Sequence, residues 1–194
     1  VESIHGGTNQ SVFGLCDPAV IRTAAAPACG NPNGKFHTWS VMGNVIYDVL
    51  QTPIDRLVVS SDGSAIVGVW MANAEPDDRH WADRCGTDSL LDEARRQLTA
   101  YFAGRLRAFD LPLAPNGTDF QRRVWVELTK IPFGTTVSYG ELARRLSNAA
   151  AVRAVGAANG RNPIPIIVPC HRVIGSNGSL TGFGGGLPRK QWLL

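Results

Sequence analysis

Residues 162–173, Asn-Pro-Ile-Pro-Ile-Ile-Val-Pro-Cys-His-Arg-Val, constrain this chain more than any other stretch. The run is almost wholly apolar and ends abruptly in a thiol, an imidazole and a guanidinium. Ile166, Ile167 and Val168 predict a buried strand, because β-branched side chains pack well on a pleated surface. Pro165 and Pro169 bracket the run and limit how far regular pairing extends, so the backbone is expected to change direction where the polar groups begin. A cysteine in such a place is commonly a small buried hydrophobe. Cys170 has His171 beside it, however, and a thiolate with a neighbouring base is the minimum for sulfur nucleophilic catalysis. Adjacent residues on a regular strand face opposite ways, so cooperation between Cys170 and His171 requires a turn.

The 194 residues allow one or two domains with a real core, and 44% hydrophobic against 18% charged residues excludes a disordered chain. Residues 1–40, rich in Gly, Ala, Pro and Asn without period, read as a flexible arm. Residues 41–111 change character. Runs at 45–50, 56–60 and 65–70 are β-type, separated by turn signals around Asp55 and over Ser61, Asp62, Gly63 and Ser64, which predicts a three-stranded antiparallel meander. Residues 89–102 predict a helix whose Leu90, Leu91, Ala94, Leu98, Tyr101 and Phe102 share the face that covers the sheet. This module carries no evident chemistry.

Residues 111–117, with two prolines and a glycine, predict a linker to a second unit at 115–194. Thr118 with Gln121, and Ser138 with Glu141, are capping-box pairs that open two helices. Phe120, Val124, Trp125 and Leu128 mark the core face of the first, and a third, alanine-rich helix is expected over residues 149–158. Two short helices about a polar turn predict a helix-turn-helix, and residues 173–181 a hairpin with an Asn-Gly turn as its wing. Arg122, Arg123, Lys130, Arg144, Arg145, Arg153, Arg161, Arg172, Arg189 and Lys190 all fall in this half, so a net charge of only +3 hides a basic face suited to nucleic acid. On residues alone Arg153 reads as an exposed helical arginine and Tyr139 as a half-buried aromatic.

The four cysteines form no CxxC pair and no disulfide framework, which predicts a reducing compartment. Cys16, Cys29, His37, His80 and Cys85 match no zinc-ligand spacing, so no metal is expected. Val1 to Gly7 lack the features of a signal peptide, and no apolar run approaches the roughly 20 residues of a membrane span, so a cytoplasmic protein without membrane association is expected.

With its Pro-Cys-His-Arg-Val core, the stretch 162–173 resembles the active-site signature of the methylated-DNA–protein-cysteine methyltransferases, or O6-alkylguanine-DNA alkyltransferases. The resemblance runs from Thr118 to the last residue and, more weakly, back to Val45. It implies an α/β (α+β) protein, with a ribonuclease-H-like sheet-and-helix domain before a winged helix-turn-helix domain. It implies a monomer that binds double-stranded DNA containing alkylated bases, extrudes the base because its O6 substituent is unreachable in the stack, and moves the alkyl group to Cys170 without a cofactor. His171 would take the thiol proton through a water, and Asn162 would brace the turn that carries both. Tyr139 and Arg153 would help extrude the nucleotide, with Ala154, Gly156, Asn159 and Gly160 on the DNA-binding helix. Val168, Val173, Phe183 and Gly184 would form the base pocket, the Val168 and Cys170 carbonyls and the Val173 amide reading the guanine. Phe183 replaces the tyrosine of many relatives, and residues 181–186 keep a glycine-rich loop. A glutamate that orients the histidine in relatives falls after the segment matching Gln191 to Leu194, so His171 is expected to lack it within these 194 residues. Two other readings fit parts of the chain: a protein that binds alkylated DNA with weak or no transfer, and a helix-turn-helix transcriptional regulator, which leaves Cys170 and His171 unexplained.

Overall fold

The computed structural model describes residues 45–71, 86 and 88–194. The expected arm and all five candidate zinc ligands lie outside the described residues.

Three antiparallel strands come first: β1 (Ile46–Thr52), β2 (Asp55–Ser61) and β3 (Ile66–Met71), in spatial order β1-β2-β3. Leu57, Val59, Ile66 and Val69 point into the core. Helix α1 (Ser89–Phe102) covers that face with Leu91, Ala94, Leu98 and Tyr101, as the 3.6-residue spacing predicts. Its N-terminus is held by Asp88, whose Oδ1 accepts the Leu91 amide at 2.7 Å. Gln97 interrupts the apolar face because its side chain serves the chain beyond: it accepts the Asp110 amide at 2.8 Å and donates to the Asp110 carbonyl at 2.7 Å.

An edge strand exposes unpaired amides and carbonyls, and β3 is covered by segments from later in the chain. The residues expected to form a linker pair with it instead: the Ile66 amide donates to Pro112 O at 2.8 Å and the Ala114 amide to Ile66 O at 3.0 Å. Further along, the Val69 amide donates to Pro163 O at 2.8 Å. The sheet is thereby sewn to the segment that leads to Cys170.

The C-terminal half holds helices α2 (Asp119–Thr129), α3 (Tyr139–Arg145), α4 (Val152–Gly160) and α5 (Leu187–Leu193), with a two-residue parallel pair, β4 (Val137–Ser138) and β5 (Val173–Ile174). Thr118 and Gln121 form the full reciprocal capping box, and Ser138 Oγ accepts the Glu141 amide at 3.1 Å. The alanine-rich run is a single 3-10 turn, Ala149–Ala151, before α4 begins. Ser147, at φ 57, reverses the chain between α3 and that turn. Trp125 closes the helical core by donating to Ala158 O at 2.9 Å. The Asn-Gly turn forms, with Gly178 at φ 81 and the Gly175 amide on Ser179 O at 2.9 Å, but a strand precedes it and none follows. Among the described residues no helix is long and apolar enough to cross a membrane.

Candidate active site

The segment before Cys170 is buried, as its composition predicts, but it is a turn and not the expected strand. The Val168 amide bonds back to Ile164 O at 2.9 Å, and Pro165 bridges Val168 around Ile166 and Ile167. Ile166 sits at φ 77, a region that costs a β-branched residue roughly 1–3 kcal/mol and persists only where surroundings enforce it. Enforcement comes from complete burial of Ile164 and Ile166 and from Asn162. The Asn162 amide nitrogen donates to Val168 O at 2.8 Å while its oxygen accepts the Ile164 amide at 3.0 Å. One side chain thus fixes both ends of the turn.

Cys170 opens a 3-10 turn, Cys170–Arg172, closed by the Val173 amide on Cys170 O. In a helical turn successive side chains do not oppose one another as they do on a strand, so the change of direction expected at Cys170 and His171 is present. Both are buried. Burial pushes the thiol up to about 11, against the opposing hydrogen bond from Asn162 and the nearby charge of Lys190. Burial pulls His171 down to about 3, helped by the charges of Arg172 and Lys190. The resting pair is therefore a neutral thiol and a neutral imidazole. Neither ring nitrogen of His171 has a hydrogen-bond partner among the described residues.

A cavity of about 190 Å³ reaches Cys170 and is lined also by Asn159, Gly160, Asn162, Phe183 and Gly184. A larger hollow, about 500 Å³, lies between α2 and the end of α3 around Arg122, Arg123 and Arg145, with neither a thiol nor an imidazole in its wall. Of the other residues singled out from sequence, Val168 and Val173 are buried beneath the smaller cavity and do not line it. Their polar groups are engaged: Val168 O accepts from Cys170 and Asn162, and the Val173 amide is spent on the 3-10 turn. Tyr139 leans toward the loop, its hydroxyl 3.2 Å from Thr181 O, and a Cβ on Gly156 would lie 3.8 Å from its ring. Arg153 and Ala154 are exposed on α4, and Arg153 makes no ion pair with described residues. Asn159, expected on the DNA-facing side, is 2% exposed; its amide nitrogen lies 3.4 Å from Cys170 O and its oxygen has no partner among the described residues.

Family models match this chain in two parts: the ribonuclease-like domain of 6-O-methylguanine DNA methyltransferase over residues 45–115, and the DNA-binding domain of that enzyme over residues 119–194. The chain belongs to this methyltransferase family. A methylated-DNA–protein-cysteine methyltransferase of Mycobacterium tuberculosis is 50% identical over 150 residues, covering 76% of this chain and 89% of the relative. One from Methanosarcina acetivorans is 46% identical over 153 residues, covering 76% and 95%. The crystal structure of the M. tuberculosis O6-methylguanine methyltransferase superposes with TM-score 0.69 at 49% identity, over 77% of this chain and 90% of that one. The same protein in complex with DNA gives 0.69 at 48%, over 76% and 89%.

The methyltransferase site also contains residues that sequence reading placed on a basic surface. Lys190 is completely buried, its Nζ donating to Val173 O at 2.6 Å and Thr181 O at 2.7 Å. Its only signal was position, three residues before the buried Leu193 on the core side of α5. Arg172 is 8% exposed, donates to Ile131 O at 2.7 Å and stacks 5.6 Å from the Phe133 ring centre. Arg189 bonds Gly185 O, Ile54 O and Asp55. Lys130, Arg122, Arg144 and Arg145 are engaged with Glu127, Asp119 and Glu141. The basic face narrows to a few groups about α4.

Proposed function

We propose that this protein repairs DNA by direct reversal, transferring the alkyl group of an extruded O6-alkylguanine, irreversibly, to Cys170. The observation that carries the reading is a nucleophile otherwise sealed in the core, open only to a small cavity rimmed by the end of α4. Bulk solvent is excluded from such a thiol, while a flat base delivered from α4 can fill the cavity.

Cys170 Sγ bonds the first carbon of the substituent and the bond from that carbon to O6 breaks. The electron pair stays with guanine, and the thiol proton ends on the restored base. With the thiol near 11 and the imidazole near 3, direct transfer to His171 is steeply unfavourable. The proton therefore moves in concert with attack, relayed through water and the neutral His171 toward the leaving oxygen as that oxygen gains charge, so that no imidazolium accumulates, and Lys190 stabilises the developing thiolate. Asn162 positions the turn. The guanine amine competes for the Cys170 carbonyl with the Asn159 amide, whose contact at 3.4 Å is long for a hydrogen bond. The thioether product is not hydrolysed, so one protein repairs one base, as a monomer and without a cofactor. Arg153 fills the space of the extruded nucleotide, assisted by Tyr139, with Ala154, Gly156 and Gly160 allowing α4 a close approach to duplex DNA.

Intact-protein mass after incubation with duplex DNA containing one O6-methylguanine tests this. A gain of about one methylene, saturating at one per protein and absent in Cys170→Ala, is expected. Tighter binding to damaged DNA with no mass gain would replace the transferase by a damage-binding protein.

A further inference from the structure

Arg172 is a buried charge to which the transfer steps assign nothing. It follows Cys170 and His171 in the same 3-10 turn, and its amide closes on Pro169 O at 3.0 Å. Burying a guanidinium is costly unless other groups replace its water, and a carboxylate is the usual replacement. Among the described residues no carboxylate comes within ion-pair distance of it. A carbonyl and a ring take that place: Nη1 donates to Ile131 O at 2.7 Å, and the guanidinium carbon lies 5.6 Å from the centre of the Phe133 ring.

Both partners sit just past the end of α2. The Ile131 amide returns to Leu128 O at 3.0 Å, so the Ile131 carbonyl lies at the negative end of that helix and suits a cation. Phe133 is half exposed, yet Tyr101 of α1 meets its ring edge-on at 6.0 Å. The module whose sequence suggested packing alone therefore supports the ring on which Arg172 rests.

The clamp fixes more than Arg172. Consecutive residues of a 3-10 turn share one tight backbone, so pinning the third governs where the first two point. A positive charge is also fixed beside the imidazole. The charged groups facing His171 are Arg172 on its own turn and Lys190 from α5. Helix α2, packed against the turn, buries only apolar residues, Val124, Trp125 and Leu128. Burial is the larger reason that His171 stays neutral, and the charge of Arg172 comes next.

We propose that Arg172 is a positioning residue of the transfer: clamped between the Ile131 carbonyl and the Phe133 ring, it sets the direction of Cys170 and His171 and holds a fixed positive charge where an imidazolium would form. The proton leaving sulfur then cannot rest on His171. It is passed on to O6 while sulfur bonds the alkyl carbon and the carbon–O6 bond breaks, its electron pair going to guanine. This inference rests on Cys170 being the alkyl acceptor.

The test pairs two readouts on the full chain. One is single-turnover transfer from duplex O6-methylguanine, read by intact mass. The other is the titration midpoint of His171, read by NMR of its ring, with His171→Asn to assign the signal. Arg172→Met keeps the apolar stem and removes the charge. It is expected to slow transfer roughly tenfold or more, the scale of one lost charged hydrogen bond, and to raise the midpoint by about one pH unit. Arg172→Lys keeps the charge and should hold the midpoint while recovering part of the rate. Phe133→Leu leaves the Ile131 bond in place and, at a half-exposed site, keeps the fold; it should slow transfer about fivefold, the scale of one cation–π contact. Slower transfer by Arg172→Met with an unmoved midpoint would mean that Arg172 only supports the fold, and overturns the proposal. Should that variant not fold, wild-type transfer by Phe133→Leu overturns it, and slowed transfer with the midpoint held in Arg172→Lys supports it. No transfer by the wild-type chain removes the transferase reading instead, while the midpoints still report on Arg172.

Discussion

His171 is fully buried with both nitrogens unpartnered among the described residues, and this sets how the protein responds to acid. Its folded-state value near 3 lies below the ordinary 6.5. Between those limits the unfolded chain binds a proton that the folded chain refuses, so stability rises with pH across that window and is lost as pH falls through it. Cys170 acts oppositely: between 9 and 11 the unfolded thiol ionises first, so stability falls as pH rises. Denaturant unfolding is expected to show about 2 kcal/mol less stability at pH 5 than at pH 7 from His171 alone. His171→Asn should flatten that limb; an equally steep limb in the variant would mean the imidazole titrates normally. Arg153 offers a different residue-scale test. Because it is exposed on α4 and far from any role in the sulfur chemistry, Arg153→Ala should slow transfer from duplex O6-methylguanine at least tenfold and leave transfer from free O6-benzylguanine within about twofold. Equal loss on both would remove it from DNA docking.

Elements whose stability is local were legible in the sequence. Helix α1 occupies the residues its apolar spacing marks, and the capping residues Thr118 and Ser138 sit where their patterns placed them. The turn over residues 164–168 was not legible, because Ile, Ile and Val favour strand and nothing local announces φ 77 at Ile166; that conformation is imposed by Asn162 and the surrounding core. The burial of Lys190 was equally hidden, since a lysine in a terminal helix is normally solvated. The two caps give an element-scale prediction. Thr118→Ala should cost about 1 kcal/mol in denaturant unfolding and leave the transfer rate unchanged. Ser138→Ala should cost a similar amount and also slow transfer, because Tyr139 is the first residue of the seven-residue helix that Ser138 caps. Should both variants transfer at the wild-type rate, the set of Tyr139 does not matter to the reaction.

At the scale of the whole molecule, the sheet module and the thiol-bearing module share one continuous core, and contacts between residues far apart in the chain join them. The Val69 amide meets Pro163, the Phe102 and Trp192 rings pack 5.7 Å apart, and Arg189 links the β1–β2 turn to the loop by bonding Ile54 O at 3.0 Å, Gly185 O at 2.7 Å and the Asp55 carboxylate. None was legible from sequence, since each joins residues far apart in the chain and involves types that read as ordinary surface or packing. The backbone amide of Arg56 and the Arg189 guanidinium hold Asp55 below the usual carboxylate range, so this tie survives through neutral pH and weakens only in acid. Arg189→Met keeps the apolar stem and removes all three bonds. Because the loop carrying Phe183 and Gly185 would lose its anchor while α4 is untouched, transfer should slow by a similar factor on duplex DNA and on the free base, unlike the split expected for Arg153→Ala. Amide hydrogen exchange over residues 181–186 should quicken in the same variant. Unchanged exchange there would show that Lys190, through Thr181 O, holds the loop without Arg189, and that the sheet module shapes the pocket through β3 alone.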